Sequence, residues 1–257
     1  MFSPPTPEVG QVLDRLTRDI RDQLRDNLTG LYLYGSLVGG DFEPARSDVD
    51  LLALLQRELD EGEVEALRGL HVRLEEDFPA WRDRIEVDYT PLGAIQTFRT
   101  QLGQMVRISP GEPLHVLEAN RHYLLNWFMA RGGVTLLGPP AAEVIPAITR
   151  GEFVGVVREH AAAWPEWVTE MRHPGEQAYA VLTLCRALYS SLHGEQVSKR
   201  RAAREVQPLL PGWEPLIGWA VRWRYEGGTQ KGDEDHFDEV VRFVREVSGR
   251  IVGSNQS

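Results

Sequence analysis

Hydrophobic positions along the chain keep two rhythms, and the place where one gives way to the other divides it. From Pro7 to Leu28, Val12, Leu16, Ile20 and Leu24 recur every fourth residue and predict a helix with one apolar stripe. Leu31 to Tyr34 and Val49 to Leu55 are apolar runs of strand length. Glu61 to Phe78 returns to helical spacing through Val64, Leu67, Leu70, Val72 and Leu74. In Arg84 to Tyr89 the period is two: Ile85, Val87 and Tyr89 share one face of a strand, Glu86 and Asp88 the other. Arg121 to Arg131 reads as a helix that Gly132-Gly133 stops before a strand over Val134 to Leu137. After Gly138-Pro139-Pro140 only helical patterns remain. These cover Phe153 to Ala163, Glu176 to Leu192, Lys199 to Val206 behind Ser198 as N-cap, and Phe237 to Val252. In the last, Phe237, Val240, Val241, Val244, Val247 and Ile251 fall on one face, and the polar stretch Glu226 to Asp235 reads as the loop before it. An α+β protein follows, with a mixed sheet flanked by helices in residues 1–150 and an α-helical bundle in 151–257.

The chemistry concentrates in Leu31 to Leu55, LYLYGSLVGGDFEPARSDVDLLALL. Gly35 and Ser36 end the first strand, where backbone N–H groups and a hydroxyl can turn toward a phosphate. Asp48 and Asp50 open the second strand on one face, with Val49 turned away. Asp is common at strand edges and in turns. Here, however, the leucines that follow describe a strand buried on both faces, and two carboxylates at its lip call for a cation. Magnesium fits, since it takes carboxylate and phosphate oxygens. A third carboxylate should come from a neighbouring strand, either Glu86 or Asp88, although a half-exposed strand with polar residues outward is the plainer account of that segment alone. In the helical part Arg186 stands among Val181, Leu182, Leu184, Ala187 and Leu188. A charge there needs a partner, such as Glu176, or a ligand. Lys199 by itself reads as a solvated surface charge.

Gly-Ser, a spacer, Asp-x-Asp and a later Glu on a strand resemble the nucleotidyltransferase superfamily related in fold to the palm of DNA polymerase β. The segment from Leu31 to Leu55 is closer still to the streptomycin/spectinomycin class of aminoglycoside adenylyltransferases. The likeness extends to Leu136-Leu137-Gly138-Pro139-Pro140-Ala141-Ala142 and to Val181 through Ser190 with His193-Gly194 and Ser198-Lys199, leaving a poorly matching middle from about Thr97 to Asn120. The resemblance implies transfer of AMP from ATP, with Mg²⁺, to a hydroxyl of an aminoglycoside or aminocyclitol, releasing pyrophosphate. It implies Asp48, Asp50 and Glu86 as metal ligands and catalytic residues, with Glu86 the general base and Asp88 the fallback. Gly35, Ser36, Arg186 and Lys199 would bind the nucleotide, the last two reaching its phosphates from the helical domain across an interdomain cleft. Trp167 matches an indole set against the drug and Glu176 an acid that contacts cationic groups. Tyr179 and Asp88 join them as acceptor contacts, while Arg172, where streptomycin-modifying relatives carry an acid, would repel a guanidinium and favours spectinomycin over streptomycin.

Composition narrows the alternatives. At 257 residues two domains are expected, and 42% hydrophobic with 26% charged residues is ordinary for a globular chain. A net charge of −10 argues against a nucleic-acid partner and suits a polycationic substrate, as it suits solubility in general. No apolar run reaches the ~20 residues of a membrane helix, MFSPPTPEVG has no signal-peptide core, and the single cysteine, Cys185, fits a reducing cytoplasm. The partners expected are therefore small molecules, with no membrane, and the chain a monomer. Two other readings stay open: a nucleotidyltransferase acting on protein or tRNA, as toxin-antitoxin members of the superfamily do, and a nucleotide-binding protein without catalysis.

Overall fold

The computed structural model describes residues 2–227 and 235–253, and the chain divides into two compact units, Met1–Ile148 and Thr149–Ser257. The first unit runs α1 (Pro7–Leu24), β1 (Leu28–Tyr34), α2 (Ser36–Gly39), β2 (Val49–Leu55), α3 (Glu61–Asp77), β3 (Ile85–Pro91), α4 (Leu92–Thr97), β4 (Gly103–Ser109), β5 (Glu112–Ala119), α5 (Leu124–Arg131), β6 (Val134–Leu137) and α6 (Ala141–Val144). Its sheet has the order β5-β4-β3-β2-β1-β6, with β2 and β3 parallel and every other neighbouring pair antiparallel. The second unit is helical among its described residues: α7 (Arg150–Trp167), α8 (Pro174–His193), α9 (Lys199–Val206), α10 (Glu214–Tyr225) and α11 (Phe237–Gly253). The α+β architecture is as expected. No helix among the described residues is long and apolar enough to cross a membrane.

Local signals explain most element boundaries. Thr6 caps α1 by accepting from Val9 N, and Asp60 and Glu63 form a reciprocal capping box at the start of α3. The expected extension of α1 to Leu28 is corrected. Arg25, at φ 47°, ends the helix, and Asn27 is buried in the turn with its side-chain oxygen accepting from Arg57 N at 3.1 Å, so Leu28 already belongs to β1. The apolar stripes of α1 and α3 cover one face of the sheet through Leu16, Ile20, Leu67 and Leu70, which pack with Leu33, Leu51, Val87 and Val106 in one core. Burying each such side chain contributes about 1.5–3 kcal/mol. The alternate residues of the same strands therefore point to the other face.

The β4–β5 hairpin and α10 are among the elements that lie where no pattern pointed to them. The hairpin of β4 and β5 occupies the poorly matching middle, joined across Pro110 and Gly111, the latter at φ +78°. Helix α10 buries Leu216, Ile217, Trp219 and Ala220. Most of the polar stretch before α11, residues 228–234, lies outside the described residues.

Candidate active site

Strand register brings the chemistry of the first unit together on the face opposite α1 and α3. Tyr34 on β1 pairs with Asp50 on β2, and Asp50 with Glu86 on β3, making one row across three strands. In the next row Tyr32 pairs with Leu52, Leu52 with Asp88, and Asp88 with Arg107 on β4. Residues paired in register share a face, so Asp50, Glu86, Asp88 and Arg107 are neighbours although up to 57 positions separate them in sequence.

Gly35, where β1 ends, sits at φ +72°, and a Cβ placed on it would come within 1.9 Å of Asp50 Oδ2 and 3.0 Å of Asp50 Cβ. The glycine thus serves two needs: the positive-φ backbone, at ψ −147°, that leads into α2, and room for the Asp50 carboxylate. Ser36, half-buried, starts that single helical turn. The loop before Asp48 is fastened from the far side by Arg84. Its guanidinium donates to Ser47 O at 2.6 and 3.1 Å and to Pro44 O at 2.7 Å, and lies 4.5 Å from the Trp81 ring centre. Ser47, buried, accepts from Glu43 N at 2.8 Å. Asp48 and Asp50 keep some exposure.

Glu86 is held by three donors. Tyr34 Oη donates to Oε1 at 3.1 Å, Asn126 Nδ2 to Oε1 at 3.2 Å, and Arg107 Nη2 reaches Oε2 at 3.1 Å. Arg107 Nη1 donates to Asp88 Oδ1 at 2.6 Å, and Asn126 Nδ2 to Asp88 Oδ2 at 2.9 Å. Burial pushes Glu86 up to about 7, with Arg107 opposing and Asp88 adding to the rise. Asp88 is raised too, by complete burial, against the pull of Arg107 and Asn126. Burial works against the charge of Arg107, but Asp88 and Glu86 outweigh it and hold the guanidinium ionised. Tyr34, buried beside three acids, is pushed well above its ordinary value and stays a donor.

Magnesium can be tested against these donors. Asp48 and Asp50 offer the hard oxygens it prefers, yet among the described residues no three Asp, Glu, His or Cys side chains stand close enough to hold a metal by themselves. The pair fits a cation whose shell is completed by phosphate oxygens. Glu86, expected as a third ligand, has Arg107 Nη2 at 3.1 Å from its Oε2.

In the second unit, Glu176, Tyr179 and Arg186 fall on one face of α8 at spacings of three and seven residues. Lys199, at the start of α9 behind the Ser198 cap, places Nζ 3.7 Å from the centre of the Tyr179 ring. Trp164 lies 6.0 Å from that ring and 5.8 Å from Trp167, which leaves Trp167 and Tyr179 as exposed aromatics, at 40% and 48%. Glu176 caps its own helix, accepting from His173 N at 3.0 Å. It is ten residues from Arg186, about 15 Å along the axis, so it is not the arginine's partner. Among the described residues Arg186 makes no ion pair, and it is half-buried. Arg172 lies with its guanidinium 3.9 Å from the centre of the Phe237 ring.

Two family models match this chain: a nucleotidyltransferase domain over residues 14–100 and the aminoglycoside adenylyltransferase C-terminal domain over 143–250. The chain belongs to the aminoglycoside adenylyltransferase family. It is 27% identical to an aminoglycoside (3'') (9) adenylyltransferase from Escherichia coli over 95% of both chains. It is 25% identical to a spectinomycin 9-adenylyltransferase from Campylobacter jejuni, covering 89% of this chain and 90% of the relative. Its fold matches that of a spectinomycin adenyltransferase from Enterococcus faecialis solved with ATP and spectinomycin, at a TM-score of 0.78 and 19% identity, over 94% of this chain and 98% of the other.

Within this adenylyltransferase the structure brings Gly35, Asp50 and Glu86 side by side, and Tyr179 and Lys199 into contact. One expected role is corrected. Asp88, weighed as a fallback base and acceptor contact, has no exposed surface, and both its oxygens are engaged by Arg107 and Asn126. Tyr34, Arg84, Arg107 and Asn126 were not anticipated. The signal for two of them was present as a lone polar residue inside an apolar run: Arg107 between Val106 and Ile108, and Asn126 between Leu125 and Trp127.

Proposed function

We propose that this protein transfers AMP from Mg²⁺-bound ATP to a hydroxyl of an aminocyclitol or aminoglycoside of the spectinomycin or streptomycin type, with release of pyrophosphate. The observation that carries the reading is the row Tyr34–Asp50–Glu86 beside Gly35. It sets a carboxylate tuned to about 7 next to the Asp48/Asp50 pair. A base near neutrality is well matched to taking a proton from a hydroxyl at physiological pH. Relatives that match most of this chain are named as adenylyltransferases of aminoglycosides or spectinomycin.

Asp48 and Asp50 would hold the magnesium, and the cation would supply neutralisation of charge developing on the transferring phosphoryl group. Glu86 takes the proton of the acceptor hydroxyl. The oxygen so released attacks the α-phosphorus, the bond to the bridging oxygen breaks, and pyrophosphate departs with its electron pair. Ser36 hydrogen-bonds the terminal phosphates, and Arg186 and Lys199 pair with the leaving pyrophosphate. Trp167 offers a ring face to a cationic acceptor, with Tyr179 as a neighbouring contact and Glu176 as its acidic contact. Arg172 disfavours a guanidinium-bearing acceptor and so points to spectinomycin.

Incubation with Mg²⁺-ATP and a panel of aminoglycosides and aminocyclitols, read by mass spectrometry for an added AMP, tests this. Adenylylated spectinomycin is the expected product. AMP on tRNA or protein instead, or ATP binding with no transfer to any acceptor, would refute it.

A further inference from the structure

A carboxylate has about four lone-pair positions, two on each oxygen. Among the described residues the donors to Glu86 occupy three of them: Tyr34 and Asn126 both take Oε1, and Arg107 takes one position on Oε2. The remaining position is on Oε2, beside the guanidinium. Arg107 does not float there. Its other arm is seated at 2.6 Å on Asp88, which is wholly buried and directly opposite it in the β3–β4 register. The Arg107 side chain is itself only 14% exposed, and its guanidinium lies 5.4 Å from the Tyr123 ring centre, so little of it is left to meet a substrate.

We propose that Arg107 is a positioning residue for the transfer reaction: anchored on buried Asp88, it fixes Glu86 Oε2 as the atom that receives the acceptor's proton. This rests on the reading of Glu86 as general base. A planar guanidinium is suited to the task because its fork can span two carboxylates at once, and Glu86 and Asp88, two residues apart on one strand, present theirs side by side. A lysine at 107 would offer a point charge that satisfies one of them. A purely structural ion pair is the competing account, and it predicts loss of stability without a selective loss of turnover.

The test is a double-mutant cycle with chemical rescue. kcat and KM for ATP and spectinomycin are measured for the wild type, Arg107→Ala, Arg107→Lys, Glu86→Gln and the Glu86→Gln/Arg107→Ala double variant, with melting curves for each. Arg107→Ala is expected to lose about 100-fold in kcat, the scale on which a misplaced reacting group is felt, while KM for ATP stays within a few-fold. Added guanidinium ion should recover at least about tenfold of that loss, Arg107→Lys should fall between, and Arg107→Ala should cost nothing further in the Glu86→Gln background, because the two residues act as a unit. If Arg107→Ala does not fold, Arg107→Gln/Asp88→Asn, which keeps an uncharged hydrogen-bonded pair, must show the same selective loss of kcat. Unchanged kcat in a folded variant, no rescue by guanidinium, or an additive loss in the Glu86→Gln background overturns the proposal. Full turnover by Glu86→Gln alone overturns the assignment of the base, an outcome separate from any result at Arg107.

Discussion

Replacing Gly35 by alanine separates two demands that the structure places on one atom. The first is conformational: at φ +72° and ψ −147° the backbone lies in a region that essentially only glycine enters, at a cost of about 1–3 kcal/mol for an L-residue. For a chain of this size that lowers Tm by about 2–12 °C. The second is spatial. The new Cβ would lie 1.9 Å from Asp50 Oδ2, 2.6 Å from its Cγ and 3.0 Å from its Cβ, so rotating the carboxylate away is not enough and β2 must shift as well. Two nearby glycines serve as controls. Gly40 also has a positive φ, +69°, in the milder left-handed helical region, but a Cβ there meets nothing within 4 Å, and Gly39 has neither the strain nor the contact. Gly40→Ala should therefore show the fall in Tm with Mg²⁺-ATP affinity intact, and Gly39→Ala should show neither change. Gly35→Ala should lose stability and also at least tenfold in Mg²⁺-ATP affinity, about 1.4 kcal/mol. Differential scanning fluorimetry and isothermal titration calorimetry on the three variants give both readings. If Gly35→Ala bound Mg²⁺-ATP as tightly as Gly40→Ala, the closeness of Gly35 to Asp50 would have no part in nucleotide binding.

Other consequences can be checked as directly. Asp48→Asn should abolish the magnesium dependence of ATP binding, whereas Glu86→Gln should bind Mg²⁺-ATP normally and lose about 10²–10⁴-fold in kcat; calorimetry with and without magnesium, paired with steady-state kinetics, distinguishes them. Because Glu86 must be ionised to accept a proton and burial raises it to about 7, kcat/KM should climb as pH rises through about 7, and a profile flat from pH 5.5 to 8 would contradict its role as base. His71, buried and 2.8 Å from Tyr89 Oη, is held down to about 4 by burial. Below its ordinary 6.5 the unfolded chain gains a proton that the folded one declines, so stability falls from pH 6.5 toward 4 by about 3 kcal/mol; urea titrations across that range should show His71→Leu with a flatter slope than wild type.

How much of this was legible in the chain depends on the range of the interaction involved. Helix stripes, Ser198 as a cap and the Asp48-x-Asp50 pair are local, and periodicity or spacing exposes them. The end of α1 was missed because its cause is not local: Asn27 is committed to Arg57, thirty residues on, and Arg25 takes a positive φ that no stripe of leucines announces. The β4–β5 hairpin was missed for a related reason. Its strands are half-exposed and interrupted by Arg107, His115 and Glu118, so neither rhythm is regular, and only the Pro110-Gly111 turn marks it. Yet this hairpin supplies the guanidinium that decides what Glu86 and Asp88 can do. A register of strand pairing, not a motif, puts Arg107 opposite Asp88.

That register also resolves a question that β3 alone leaves open. Glu86 and Asp88 share a face and a charge, and nothing in Ile85 to Tyr89 ranks them. What ranks them is where each sits along Arg107. The shorter side chain, in the row paired with β4, is completely enclosed and gives both oxygens to Arg107 and Asn126. Its ionised form then depends on those partners, since an unpaired buried carboxylate is costly. The longer one lies a row nearer the end of the sheet, beside Asp50, and keeps 16% of its side chain exposed. Two like carboxylates are thereby driven into different work by their surroundings, one as the anchor of a cation and the other as a base poised near neutrality. The same logic predicts an asymmetry: Asp88→Asn should cost mainly stability, through an Arg107 left with half its partner charge, whereas Glu86→Gln should cost mainly turnover. Comparable melting temperatures with comparable losses of kcat in the two variants would show that the rows are not divided in this way.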